Sequence, residues 1–239
     1  MAANPYYLAG ETLFFSCRVA GYKASEKETM GIEWKVEALD DQNVALAKPE
    51  TKSMEADIAP EDKDWKPIIR YQFATPYSAL CGHCRVRVEV KDRLSGQTAA
   101  AEFPFSIRGK AVEPSETLTV RNFRFLRSEA DETPLAVPAY RPGDQLWARF
   151  EMTGYRFGEG NSIHVEYGIS VYRPSGKLLY EEPKAAETEE RSFYPKRFIA
   201  GVLNLRLEGL PTGEYPILLV VRDLTGNQKF EGKYTFRVE

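Results

Sequence analysis

A chain that repeats itself at one long offset has to fold as copies of a single unit, and this sequence does so. Gly10-Glu-Thr-Leu-Phe-Phe-Ser-Cys-Arg-Val-Ala-Gly-Tyr22 lies over Gly143-Asp-Gln-Leu-Trp-Ala-Arg-Phe-Glu-Met-Thr-Gly-Tyr155, an offset of 133 residues from Gly10 to Gly143. Both stretches start at a Gly-acid turn, alternate apolar and polar residues, and close on Gly-Tyr. The offset continues without a gap, so that Ile32-Glu-Trp-Lys-Val36 falls on Val165-Glu-Tyr-Gly-Ile169. A second block, Gly82-His-Cys-Arg-Val-Arg-Val-Glu-Val-Lys-Asp92, matches Gly213-Glu-Tyr-Pro-Ile-Leu-Leu-Val-Val-Arg-Asp223 at an offset of 131 from Gly82 to Gly213. Each copy then passes a glycine turn (Gly96, Gly226) and ends on Phe103-Pro-Phe-Ser-Ile107 or Tyr234-Thr-Phe-Arg-Val238.

Within each copy the hydrophobic period is two, the signature of half-buried strands. Leu13, Phe15, Cys17 and Val19 face one way, with Phe14, Ser16 and Arg18 opposite. Ile32, Trp34 and Val36 alternate with Glu33 and Lys35, and Val86, Val88 and Val90 with Arg85, Arg87 and Glu89. About seven short strands per hundred residues, punctuated by Gly, Pro and Asp, predict an all-β chain of two antiparallel sandwiches. The expected domains are 1–109 and 113–239. The polar stretch Arg108-Gly-Lys-Ala-Val-Glu-Pro-Ser-Glu116 links them.

The copies differ at their starts. The second opens with a strand-like Leu118-Thr-Val-Arg-Asn-Phe-Arg-Phe-Leu126, well before Tyr140-Arg-Pro-Gly143, whereas only nine residues precede Gly10. The first domain is therefore expected either to be without its opening strand or to have had one upstream of this sequence. Such a gap leaves an open sheet edge, a pairing hazard that also serves as a docking site.

Charge and composition narrow the function classes. A net charge of −3 and a pI near 5.7 give no basic footprint for nucleic acid. Two histidines, His83 and His164, leave little for a His-based metal site or for proton transfer near neutral pH. No run approaches the roughly 20 apolar residues of a membrane span. Met1-Ala-Ala-Asn-Pro has neither a basic n-region nor an apolar h-region. A cytoplasmic chain and an exported one whose signal lies outside this sequence both fit; the short first domain favours export to the periplasm or cell surface.

Tyr140-Arg-Pro-Gly-Asp-Gln-Leu146, Val171-Tyr-Arg-Pro-Ser-Gly-Lys-Leu178 and Leu210-Pro-Thr-Gly-Glu-Tyr215 resemble the macroglobulin-type and related bacterial immunoglobulin-like modules. The resemblance covers the second domain well and the first more loosely, through the repeat. It implies tandem immunoglobulin-like sandwiches serving as spacers, adhesion units or binding units in larger cell-surface or periplasmic systems. No thioester motif is present, so protease trapping does not carry over, and many functions sit on this fold.

The three cysteines are where chemistry is most readily sought. Cys81-Gly-His-Cys84 looks like the active-site tetrapeptide of protein disulfide isomerases, in which a following helix lowers the first thiol's pKa. Here an alternating strand follows Cys84, so a thiol–disulfide redox protein is the alternative reading rather than the leading one. The order Cys17, Trp34, Cys84 resembles the immunoglobulin core, which implies a Cys17–Cys84 bridge beside a packed Trp. A local Cys81–Cys84 bridge and a fully reduced set remain open. A zinc site from Cys17, Cys81, His83 and Cys84 would need four converging ligands, and on a strand His83 points away from Cys84. No metal and no cofactor is expected.

No nucleophile elbow, phosphate loop, paired-carboxylate motif or EF-hand loop occurs. The acidic run Glu181-Glu-Pro-Lys-Ala-Ala-Glu-Thr-Glu-Glu190 is without the spaced Asp pattern of a calcium loop and reads as a solvated loop. His164 opens a strand and reads as half-exposed. Outward aromatic and apolar residues are the better lead. Trp147, at the position of Phe14, and Tyr172 project from the core. Leu218 and Val220 stand where the first domain has Arg87 and Glu89. Trp65 sits in the loop Glu61-Asp-Lys-Asp-Trp-Lys-Pro67 as a second exposed candidate. An apolar outer face is covered by another part of the chain or by a partner: a protein, or a sugar ring if Trp147, Tyr172 or Trp65 align. A non-catalytic binding, adhesion or scaffold module is thus the expected function.

Overall fold

The computed structural model describes residues 5–62 and 64–239. Residues 1–4, on which the reading of no signal-peptide pattern falls, and Lys63 of the Trp65 loop lie outside the described residues. The chain divides into two units, Met1–Ala111 and Val112–Glu239. Each is an immunoglobulin-like β-sandwich, and among the described residues no helix is long and apolar enough to cross a membrane.

Unit 1 holds β1 (Tyr6–Leu8), β2 (Thr12–Arg18), β3 (Thr29–Leu39), β4 (Glu50–Asp57), β5 (Ile68–Ala74), β6 (Cys81–Asp92) and β7 (Thr98–Arg108). A five-stranded sheet in the order β1-β7-β6-β3-β4 packs on the pair β2-β5. Unit 2 holds β8 (Thr119–Leu126), β9 (Ala139–Tyr140), β10 (Gln145–Thr153), β11 (Ser162–Tyr172), β12 (Leu178–Arg191), β13 (Ile199–Arg206), β14 (Gly213–Asp223) and β15 (Gln228–Val238). Its sheets run β12-β11-β14-β15-β9 and β13-β10-β8.

The period of two in the sequence is the period of burial. Leu13 is buried, Phe15 and Cys17 are half-buried, and Phe14, Ser16 and Arg18 are exposed. Ile217, Leu219 and Val221 of β14 point into the unit 2 core with Phe150, Tyr215 and Phe236. Each such side chain contributes roughly 1.5–3 kcal/mol relative to exposure, so these rows decide which face turns inward.

Equivalent strands pair in equivalent register. Val86 lies opposite Phe103 as Ile217 lies opposite Tyr234. Trp34 lies opposite Val90 as Tyr167 lies opposite Val221. The equivalence extends upstream of Gly10: β1 pairs parallel with β7, Tyr7 opposite Ile107, and β9 pairs parallel with β15, Tyr140 opposite Val238. Tyr7 meets Phe105 edge-on at 6.1 Å, and Tyr140 meets Phe236 edge-on at 6.2 Å. The turn between these strands and the next uses Gly10 at φ 91° and Gly143 at φ 90°, a left-handed backbone that favours glycine.

Two exchanges of residue distinguish the cores. In unit 2 Phe150 sits opposite Gly201, where an added Cβ would meet the Phe150 ring at 2.3 Å. In unit 1 the corresponding pair is Cys17 and Ile69: the large residue has changed strands. The second exchange concerns the corner before the penultimate strand. Tyr215 Oη donates to Pro211 O at 2.6 Å, a tyrosine corner. Cys84 takes that position in unit 1, bonded to Cys81.

The units differ in one strand. β10 is paired on both sides, with β13 and with β8. Among the described residues β2 pairs only with β5.

Candidate functional site

The bridge lies between Cys81 and Cys84, with Cα atoms 5.7 Å apart. It spans a bulge at which the β6–β7 register shifts. Both cysteines are buried, while Gly82 and His83 face solvent and the His83 N–H donates to Asp41 Oδ1 at 2.9 Å. The Cys17–Cys84 pairing implied by the immunoglobulin core is overturned. Cys17 lines a cavity with Val88 and Val90, four and six residues beyond Cys84, which is on the order of 13–20 Å along the strand. A disulfide needs Cα atoms within about 7 Å. Cys17 is a free, half-buried thiol, and burial raises its pKa. It is held protonated near neutral pH and is a poor nucleophile. β6 continues from Cys84 to Asp92, so no helix N-terminus stands behind the Cys-x-x-Cys segment. Among the described residues no three of His, Cys, Asp and Glu gather in a way that holds a metal ion.

The outer face of the five-stranded sheet in unit 2 brings together three of the residues singled out by sequence. Leu218 lies opposite Ser170 and Val220 opposite Gly168 on β11. Tyr172, further along β11, lies opposite Leu178 of β12. Leu218 and Val220 are half-buried, and Leu178 is exposed. Charged pairs border this apolar strip: Arg222 Nη1 to Glu166 Oε1 at 3.3 Å, Lys184 Nζ to Glu166 Oε2 at 3.6 Å, and Lys229 Nζ to Glu231 Oε1 at 2.6 Å. Trp147 is not part of it. That residue lies on β10, half-buried, on the outer side of the opposite sheet and across from Asn204 and Leu126. Trp147 and Tyr172 therefore share no platform. Trp65, in unit 1, is exposed, and its main-chain carbonyl accepts a hydrogen bond from the Tyr22 hydroxyl.

The acidic run expected as a solvated loop is instead β12, fourteen residues paired along β11. Glu, Lys and Ala are poor strand formers, and cross-strand pairing overrides that preference. His164 Nε2 lies 2.7 Å from Glu187 Oε1, and Lys184 Nζ lies 2.8 Å from Glu187 Oε2. These bonds hold the Glu187 carboxyl below its ordinary pKa.

Sequence reasoning missed a matched pair of buried carboxylates. Asp92 Oδ2 accepts from Ser95 Oγ and from the Lys23 N–H, and Oδ1 from the Leu94 N–H. Asp223 Oδ2 accepts from the Arg156 N–H and Gln228 Nε2, and Oδ1 from the N–H groups of Thr225 and Gly226. Each fastens the chain after a Gly-Tyr element to the turn before the last strand. Burial works to raise the pKa of Asp92, but the hydrogen bonds from Ser95 and the Lys23, Leu94 and Ser95 N–H groups prevail and lower it. The signal for this role was the alignment of Asp92 with Asp223, each closing a repeated block ahead of a turn.

No protein-family model matches the chain, and no curated protein sequence does. Among solved structures it is similar to the fibronectin(III)-like modules of Clostridium thermocellum CbhA, at 10% identity over 99% of this chain and 88% of that chain, with a TM-score of 0.25. The class of protein is set by the strand order and burial described above: an all-β chain of immunoglobulin-like sandwiches.

Proposed function

We propose that this chain is a non-catalytic protein-binding or scaffold module that works outside the cytoplasm as part of a larger cell-surface or periplasmic system. The observation that carries the reading is the apolar strip of Tyr172, Leu178, Leu218 and Val220 on a solvent-facing sheet. Such a surface, bordered by paired charges, suits a protein partner with a complementary apolar face. The Cys81–Cys84 bridge supports an oxidising compartment, where disulfides persist. The turns resembling macroglobulin-type modules fit the same role as a spacer or binding unit.

The test is affinity capture with photo-crosslinking from the source cell's envelope fraction, comparing wild type with the L218E/V220E double variant. Retention of one defined partner by wild type, crosslinked at Tyr172 and lost by at least tenfold in a variant of unchanged circular dichroism, is expected. Equal retention by both proteins would overturn the reading.

A further inference from the structure

We propose that the edge of β2 in unit 1, unpaired among the described residues, accepts an extended strand from a second polypeptide. That strand runs antiparallel to β2, with alternating bulky apolar side chains and an acidic residue facing Arg18. The inference is independent of the apolar strip in unit 2.

Unit 2 shows what such an edge is built to hold. There β8 pairs antiparallel with β10, Phe125 opposite Ala148 and Leu126 opposite Trp147. Its Phe123 ring stacks on Tyr234 at 3.5 Å and lies 5.8 Å from the Phe150 ring. Phe125 and Leu126 are buried. The residues of unit 1 at these places are Phe14 for Trp147, Phe15 for Ala148, Cys17 for Phe150 and Phe103 for Tyr234. Phe14 is 71% exposed and Phe103 37%, while Phe15 and Cys17 are half-buried. A cavity of about 270 Å³ lies beneath, lined by Cys17, Val88, Ala101 and Phe103. That volume is far above what one water occupies, and its lining is mixed, with Arg18, Gln97 and Thr98 beside the apolar side chains.

The backbone of β2 offers a ladder as well. The Val19 N–H donates to Pro67 O, and Glu11 O accepts from the Thr75 N–H. In an antiparallel pair the direction alternates residue by residue. The odd-numbered residues therefore turn toward β5, while Thr12, Phe14, Ser16 and Arg18 turn their N–H and C=O groups to the free side. Natural edges are blunted by proline, bulges, lysine or an inward charge. Thr-Leu-Phe-Phe-Ser-Cys-Arg has none of these along its length before the terminal Arg18.

Charge specifies the occupant further. In unit 2 Glu151, 1% exposed, is paired with Arg124 of β8, Oε1 to Nη1 at 3.2 Å. The residue of unit 1 in the place of Glu151 is Arg18. The sign is reversed, so the strand that fits carries Asp or Glu in the place of Arg124.

The probe is a synthetic peptide copying residues 117–127, in two forms: the natural sequence and one with R124E. Both are offered to the full chain at low ionic strength, where surface charge pairs are least screened. The R124E peptide is expected to bind, to slow amide exchange at Phe14, Ser16 and Arg18 by at least tenfold, and to slow alkylation of Cys17. The natural peptide binds at least fivefold more weakly, and R18E in the protein inverts the order. S16P removes the central free-edge N–H while leaving the β2–β5 ladder intact, so it abolishes binding without moving the unfolding temperature of unit 1. No protection of β2 by either peptide, or equal binding by S16P, would overturn the proposal. Protection of β2 without peptide that grows with protein concentration, together with a sedimenting dimer, would overturn it in favour of a second copy of this chain.

Discussion

Asp92 and Asp223 show how single side chains set loops that the periodic pattern leaves open. Each is a buried carboxylate whose oxygens are filled by main-chain and side-chain donors. Hydrogen bonds to a charged acceptor contribute roughly 1.5–3 kcal/mol each, while an abandoned buried N–H costs about 1–3 kcal/mol. Asp92→Ala is expected to destabilise unit 1 by about 2 kcal/mol in denaturant titration at pH 7. The hydrogen bonds from Ser95 and from the Lys23, Leu94 and Ser95 N–H groups hold the folded pKa of Asp92 below its ordinary value of 3.8. Its contribution is therefore present above the unfolded value and is lost as pH falls through the folded one. The gap between wild type and the variant should be constant at neutral pH and close on acidification below 3.8. A gap that widened instead would mean the carboxyl is protonated in the fold. The inward residues were legible because alternation alone assigns them. The role of Asp92 was not, because its partner Lys23 lies 69 positions away. The Cys17–Cys84 expectation failed for the same kind of reason: order along the chain does not report where along β6 the side chain of Cys17 arrives.

At the scale of elements, strands with strict alternation were readable and strands made by their neighbours were not. β2, β3, β6, β14 and β15 follow from period two. β12 does not, since its Glu-rich sequence becomes a strand only through its register with β11. β1 escaped notice because three residues carry no period, although its Tyr7 aligns with Tyr140. The apolar strip was legible residue by residue as outward Leu218, Val220 and Tyr172. The separation of Trp147 from them was not, because it depends on which sheet β10 joins. β8 also depends on a contact beyond its own sequence. The buried Tyr140 hydroxyl of β9 donates to the carbonyl of Leu126, the last residue of β8, at 2.9 Å. Tyr140→Phe leaves that carbonyl without its donor, at a cost of about 1–3 kcal/mol. The expected result is faster amide exchange across 119–126 than in wild type, with β14 and β15 unchanged. Uniform acceleration across all of unit 2 would show that β8 does not open separately.

At the scale of the whole molecule, each unit carries its own fastening at the same corner, and the two are chemically different. Unit 1 is closed there by a covalent bridge over a loop of four residues, unit 2 by the hydrogen bond from Tyr215 to Pro211. In the chain-entropy account a loop that short stabilises by about 2 kcal/mol, while a neutral hydrogen bond contributes about 1 kcal/mol. Reduction with a phosphine should therefore lower one calorimetric transition, on the order of 5–10 °C for a domain of this size. Tyr215→Phe should lower the other by roughly half as much and leave the first in place. If both treatments shift a single transition together, the two sandwiches unfold as one cooperative body, and the separate cores do not act as separate stability units. If the transitions move singly, the same experiment labels which belongs to unit 1. The strand-addition prediction can then be read thermally, because a bound peptide should raise that transition alone.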